Sequence, residues 1–157
     1  MTRQMPPTAH DAFATADLRR LGNGLINVDT NGTYQNMKAE PILSVYFFKS
    51  ASGREPVREW LKEFTKDDRK IIGEDIKLVQ FRWPLGMPLV RKLDTALWEI
   101  RINLSNKGDI ARILFTVHTD EIILLHGFIK KSQKTPSKEL NIANNRKKQF
   151  LNSEVKQ

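Results

Sequence analysis

The chain has 157 residues and no cysteine, and its 26 lysine and arginine residues against 18 aspartate and glutamate residues give a formal net charge of +8. That length allows one domain with its own core, with or without a tail, and the missing thiols exclude a disulfide framework or a thiolate metal site. No apolar run approaches membrane-spanning length, and the start, with Pro6, Pro7, His10 and Asp11, has no secretory signal; the expectation is a cytoplasmic protein without membrane contact.

The charge is uneven along the chain. Residues 1–40 carry four basic and four acidic side chains, residues 41–81 eight and seven, and residues 82–157 fourteen and seven. A polyanionic partner is therefore drawn to the last half in a salt-dependent way. Charge alone does not decide the matter, because many small basic proteins bind no nucleic acid.

In chain order, residues 1–40 show no sustained periodicity and are punctuated by Gly22, Gly24, Asn27, Asn31, Gly32 and Asn36. They read as a flexible N-terminal arm with one short helix over 11–21, and Met37 reads as an alternative translation start. A domain over 41–150 follows, then a tail over 151–157. Branched and aromatic residues over 42–48 predict a strand. Pro56 suits a first helical turn, and Val57, Trp60, Leu61 and Phe64 fall at the spacing of one buried helical face. Thr65 with Asp68 makes a capping-box start for a second helix, whose inner stripe is Ile72, Ile76 and Val79 and which Pro84, Gly86 and Pro88 end.

Strands are then expected at 90–93, 97–104 and 109–117. Trp98, Ile100, Ile102 and Leu104 share one face with Ile113, Phe115 and Val117, while Glu99, Arg101, Asn103 and Arg112 share the other, away from the helices. Residues 122–129 are apolar almost throughout, as in a central strand covered on both faces. Thr135 is a good N-cap and Pro136 a good first residue for a closing helix to about residue 150, whose end would carry Arg146, Lys147 and Lys148 against the negative end of the helix dipole.

The chemistry legible here is that of a phosphate site. Arginine donates two hydrogen bonds to phosphate oxygens and stays charged, and clustered lysines have their pKa lowered toward neutrality. Against this, Arg101 and Arg112 fit equally a salt bridge to Glu99 or a solvated sheet face, and Lys130, Lys131 and Lys134 fit a solubilised strand edge. His126, inside an apolar strand, reads as a hydrogen-bonded core residue. No histidine has metal-ligand spacing, so neither metal nor cofactor is expected. Trp60 and Trp98 read as core, and Trp83 as a loop residue open to base stacking.

The segment His126-Gly127-Phe128-Ile129-Lys130-Lys131-Ser132-Gln133-Lys134-Thr135-Pro136 runs a strand through three lysines into a helix start. Before it come Lys92-Leu93-Asp94, Leu97-Trp98-Glu99-Ile100-Arg101 and Ile110-Ala111-Arg112-Ile113-Leu114-Phe115. In this order, over about residues 42–150, the pieces resemble the RelE/HigB superfamily of toxin–antitoxin ribonucleases, most closely its phage-derived Gp49-like branch. The resemblance implies an α+β fold, a small twisted and mainly antiparallel sheet with two N-terminal helices packed on one face, the RNA cleft on the other, and a C-terminal helix. It implies a type II toxin, an endoribonuclease without a metal that cuts mRNA on the ribosome, with Arg112 on the scissile phosphate, Arg101 beside it and Lys131 as acid or transition-state stabiliser. Lys92, Lys130, Lys134, Arg146, Lys147 and Lys148 would bind RNA. Glu99 departs from the basic residue often found in RelE and leaves the general base open. The implied partners are mRNA, the ribosome and a cognate antitoxin of helix-turn-helix type. The rival reading is a non-catalytic nucleic-acid or protein-binding module of phage origin with the same fold.

Overall fold

The computed structural model describes residues 40–130 and 134–156, together with the backbone of two short strands in the arm, β1 (Ile26–Val28) and β2 (Tyr34–Asn36), which pair antiparallel. The helix expected over 11–21 and Met37 lie outside the described residues.

Five further strands form one sheet: β3 (Ser44–Phe47), β4 (Val90–Asp94), β5 (Leu97–Asn103), β6 (Ile110–His118) and β7 (Glu121–Lys130), in the order β3-β7-β6-β5-β4. Only the β3–β7 pair is parallel. Three helices accompany it, α1 (Pro56–Leu61), α2 (Lys66–Arg82) and α3 (Ser137–Val155), so the protein is a mixed α/β fold on a mostly antiparallel sheet.

Local chemistry explains the starts of α1 and α2. Pro56 opens α1, where its missing N–H costs nothing. Thr65 caps α2, its Oγ1 accepting the Asp68 N–H at 3.2 Å. Asp68 does not complete a reciprocal box. Its Oδ1 instead accepts the Ser105 N–H at 2.9 Å, which ties α2 to the β5–β6 turn and holds the Asp68 carboxyl below its usual range.

Alternation sorts the strand residues into two apolar clusters. Ile100, Ile102, Ala111, Ile113 and Phe115 pack with Val57 and Leu61 of α1 and Ile72, Ile76 and Val79 of α2. Trp83 belongs here too, edge-on to Trp98 at 5.2 Å and Phe115 at 5.7 Å, so it is a core residue rather than a loop platform. Trp60 lies flat enough on β7 that a Cβ at Gly127 would overlap its ring. The second cluster, Leu97, Leu114, Ile123 and Leu125, packs with Leu140, Ala143 and Phe150 of α3. The face expected to be bare of helices is therefore partly covered by α3.

That helix departs from expectation at both ends. Its N-cap is Pro136, with no side-chain cap, because the Thr135 hydroxyl is used elsewhere. It runs to Val155, so Arg146, Lys147 and Lys148 sit mid-helix, its last turn carries no basic residue, and they do not oppose the dipole. Among the described residues no helix is long and apolar enough to cross a membrane.

Candidate functional site

Residues directly opposite in antiparallel strands share a face, so register decides which charges meet. Arg101 stands opposite Arg112, Arg112 opposite Phe128, Arg91 opposite Glu99, and Ile110 opposite Lys130. The face that carries α3 therefore gathers four cations, Arg91, Arg101, Arg112 and Lys130, around one carboxylate, Glu99. The expected neighbour Lys92 is not among them. It stands opposite Trp98, on the face toward α1 and α2.

Glu99 is fully buried and Arg112 is 2% exposed. Arg112 Nη1 donates to Glu99 Oε1, and Thr135 Oγ1 donates to Glu99 Oε2 at 2.7 Å. Thr135 thus tethers the start of α3 over the pair, which is why the arginine does not line an open cleft. The Arg112 Nε is buried and has no hydrogen-bond partner. Burial holds the Arg112 pKa below its ordinary value, a trend the Glu99 charge opposes and Arg101 and Arg91 reinforce.

Around this neutralised pair the other cations differ in state. Arg91 is exposed and Arg101 half-buried. Among the described residues no ion pair engages either one. Lys130, at the end of β7, is 7% exposed, and burial, with Arg112 next, lowers its pKa. Lys134 is exposed just before Thr135, and Lys131 lies outside the described residues.

The α3 trio is divided. Arg146 Nη1 donates to the Leu125 carbonyl at 2.8 Å, stands 3.2 Å from His126 Nδ1, and lies over the Phe48 ring, so it fastens α3 to the sheet. His126 Nε2 pairs with Glu139 Oε2, and burial lowers the histidine pKa although Glu139 opposes this, which agrees with a hydrogen-bonded structural histidine. Lys147 Nζ donates to the Thr95 carbonyl at 2.5 Å, whereas Lys148 is exposed.

Chemically, Arg91 and Arg101 can each offer a guanidinium fork to phosphate oxygens, and Lys130 is the described lysine best placed to move a proton. Among the described residues no histidine or carboxylate group set could hold a metal ion. Sequence reasoning missed Arg91 and Thr135. Arg91 was hidden because the β4–β5 pairing shifts register between Lys92 and Asp94, and its only available signal was the Arg-Lys pair at 91–92. Thr135 was assigned to a cap by a local rule that its long-range bond to Glu99 overrides.

A search of curated proteins found no match. The family model of the phage-derived protein Gp49-like (DUF891) matches residues 59–148, a span that contains β4 to β7 and every charged residue of the cluster. The chain belongs to this phage-derived Gp49-like family.

Proposed function

We propose that the protein is the toxin of a type II toxin–antitoxin system, a RelE/HigB-type endoribonuclease that cuts mRNA on the ribosome and so stops translation. The observation that carries this reading is the gathering of Arg91, Arg101, Arg112 and Lys130 on one sheet face around a single carboxylate. RNA can be cut by its own 2′-hydroxyl given a base, positive charge for the pentavalent phosphate and an acid for the 5′-oxygen, none of which requires a metal. Arg101 and Arg91 hold the phosphate, and Lys130, with Lys131 and Lys134 following it, supplies charge and proton transfer. Arg112, tied to Glu99, holds the two strands in register beneath them. The ribosome aligns the message, and a helix-turn-helix antitoxin masks the cationic face.

A second reading is favoured by one specific observation: the arginine most expected on the phosphate is buried and neutralised by Glu99. That suits a binding module of the same fold without chemistry.

The two separate by mapping mRNA 5′ ends after brief induction of the wild type and of Arg101→Ala. New ends within translated codons, lost with the variant at unchanged melting temperature, establish the ribonuclease. Identical maps before and after induction, with normal growth, establish the binding module.

A further inference from the structure

Burial along α2 exceeds what the sheet beneath it can provide. Ile72, Ile76 and Val79 form the stripe that faces the core, where α2 packs on β5. With 3.6 residues per turn, Asp67, Lys70, Glu74, Lys77 and Phe81 fall on the opposite side. Asp67 and Lys70 are exposed, as a helix flank turned to water should be. Beyond them the pattern changes: Glu74 and Phe81 are half-buried and Lys77 is 6% exposed. From Ile71 to Phe81 no residue of α2 is exposed, so about three turns of the helix have no side open to water. A lysine is seldom buried this far unless its charge is satisfied.

The described helices lie elsewhere. α3 packs on the other face of the sheet, and α1 packs on β7 and β3 and joins α2 at its exposed first turn. The N-terminal arm, by contrast, meets the molecule at the covered end of α2. The Ile42 and Leu43 N–H groups both donate to the Gln80 carbonyl, at 3.1 and 3.2 Å. The ribbon β1–β2 ends at Asn36, and the connection from there to Ile42 spans at most about 20 Å. Glu74 to Gln80 occupies about 9 Å of helix axis, well inside that reach. Two strands alone are marginal in water and need a surface beneath them.

We propose that residues 1–36 of the arm dock along the outward side of α2, over Glu74, Lys77 and Phe81, as an outer layer of the fold. The arm has the composition for this: Leu21, Leu25, Ile26, Val28 and Tyr34 offer apolar surface, and Asp11, Asp17 and Asp29 offer carboxylates for a buried lysine. The arm then belongs to the folded domain instead of trailing from it. This inference is independent of the ribonuclease reading.

Lysine labelling tests it, because Lys77 is its own reporter. Brief acetylation of the full chain, read by peptide mass spectrometry, should modify Lys77 at least about tenfold more slowly than exposed Lys107. In a chain starting at Met37, Lys77 should react within about twofold of Lys107, while Lys130, buried on the other face of the sheet, stays slow. Fast labelling of Lys77 in the full chain overturns the cover. Slow labelling of Lys77 in the short chain overturns the arm as its source. If the short chain also loses protection at Lys130 it has unfolded, and a second measurement on the full chain decides. The chain has no cysteine, so Lys70→Cys places a single benzophenone label on the exposed first turn, beside the covered stretch. Photo-cross-links to peptides within residues 1–36 of the same molecule support the docking. Links to other peptides only, no links at all, or links only between light and heavy copies in a mixed sample overturn it, the last in favour of a second copy on this side of α2.

Discussion

Glu99 and Arg112 each neutralise a charge that would otherwise be stranded out of water. Removing one partner of such a pair costs about 3–5 kcal/mol, while replacing both by apolar groups is often neutral. Arg112→Ala is therefore expected to lower stability by about that amount, and Glu99→Leu/Arg112→Met by clearly less than the two single changes together; denaturant melts of the four proteins check this. A consequence for function follows. On the proposed ribonuclease reading, loss of toxicity in Arg112→Ala would report unfolding as readily as lost chemistry, which makes Arg101→Ala the cleaner probe, since Arg101 has no ion-pair partner among the described residues. Arg101→Ala should change stability by no more than roughly 0.5 kcal/mol while, if the proposed activity holds, abolishing cleavage. Gly127 is constrained in a different way. A methyl group there overlaps the Trp60 ring, so Gly127→Ala should cost about 1–3 kcal/mol through overpacking, read from the shift in denaturation midpoint.

The helices and strands differ in how much of them could be read in advance. The core strands were legible because hydrophobic patterning is a local signal: alternation marks the expected strand over 109–117, which is β6, Ile110–His118, and a nearly continuous apolar run marks that over 122–129, which is β7, Glu121–Lys130. Thr65 announced the start of α2 for the same reason, since its hydroxyl meets a backbone N–H only three residues away. What stayed hidden depends on distant contacts. The irregularity between Lys92 and Asp94 decides whether Arg91 or Lys92 joins the charged face, and no residue in that stretch signals it. Likewise Thr135 is 36 residues from Glu99, and only the tertiary fold shows that its hydroxyl is used there. On α2, burial and neighbouring Glu74 push the Asp75 pKa from its ordinary 3.8 up to about 6. Folding then takes up a proton between those values, so the native state loses stability as pH rises through 6. Asp75→Asn should stabilise the protein at pH 7 by on the order of 1–2 kcal/mol, with the gain gone by pH 4, in thermal melts across that range.

For the whole molecule, the two halves of the chain divide the work. Nearly all the basic excess, +7 of +8, lies in residues 82–157, and the strands that hold the cation cluster lie in that same part. If RNA is the partner, as proposed, its binding should weaken steeply with salt, and Arg101→Ala should reduce the slope of log affinity against log salt by about one phosphate contact; titrations between low and physiological ionic strength measure it.

The strand order also sets when, during synthesis, the sheet can close. The first strand of the five-stranded sheet, β3, is paired only with the last, β7. Synthesis proceeds from the N-terminus, so β3 waits without a neighbour until nearly the whole chain exists, and Lys130 and Thr135 arrive later still. A nascent or prematurely terminated chain that stops before β7 lacks both the closed sheet and the complete cluster. On the proposed ribonuclease reading, the topology thus withholds the cation cluster from any chain that stops before β7.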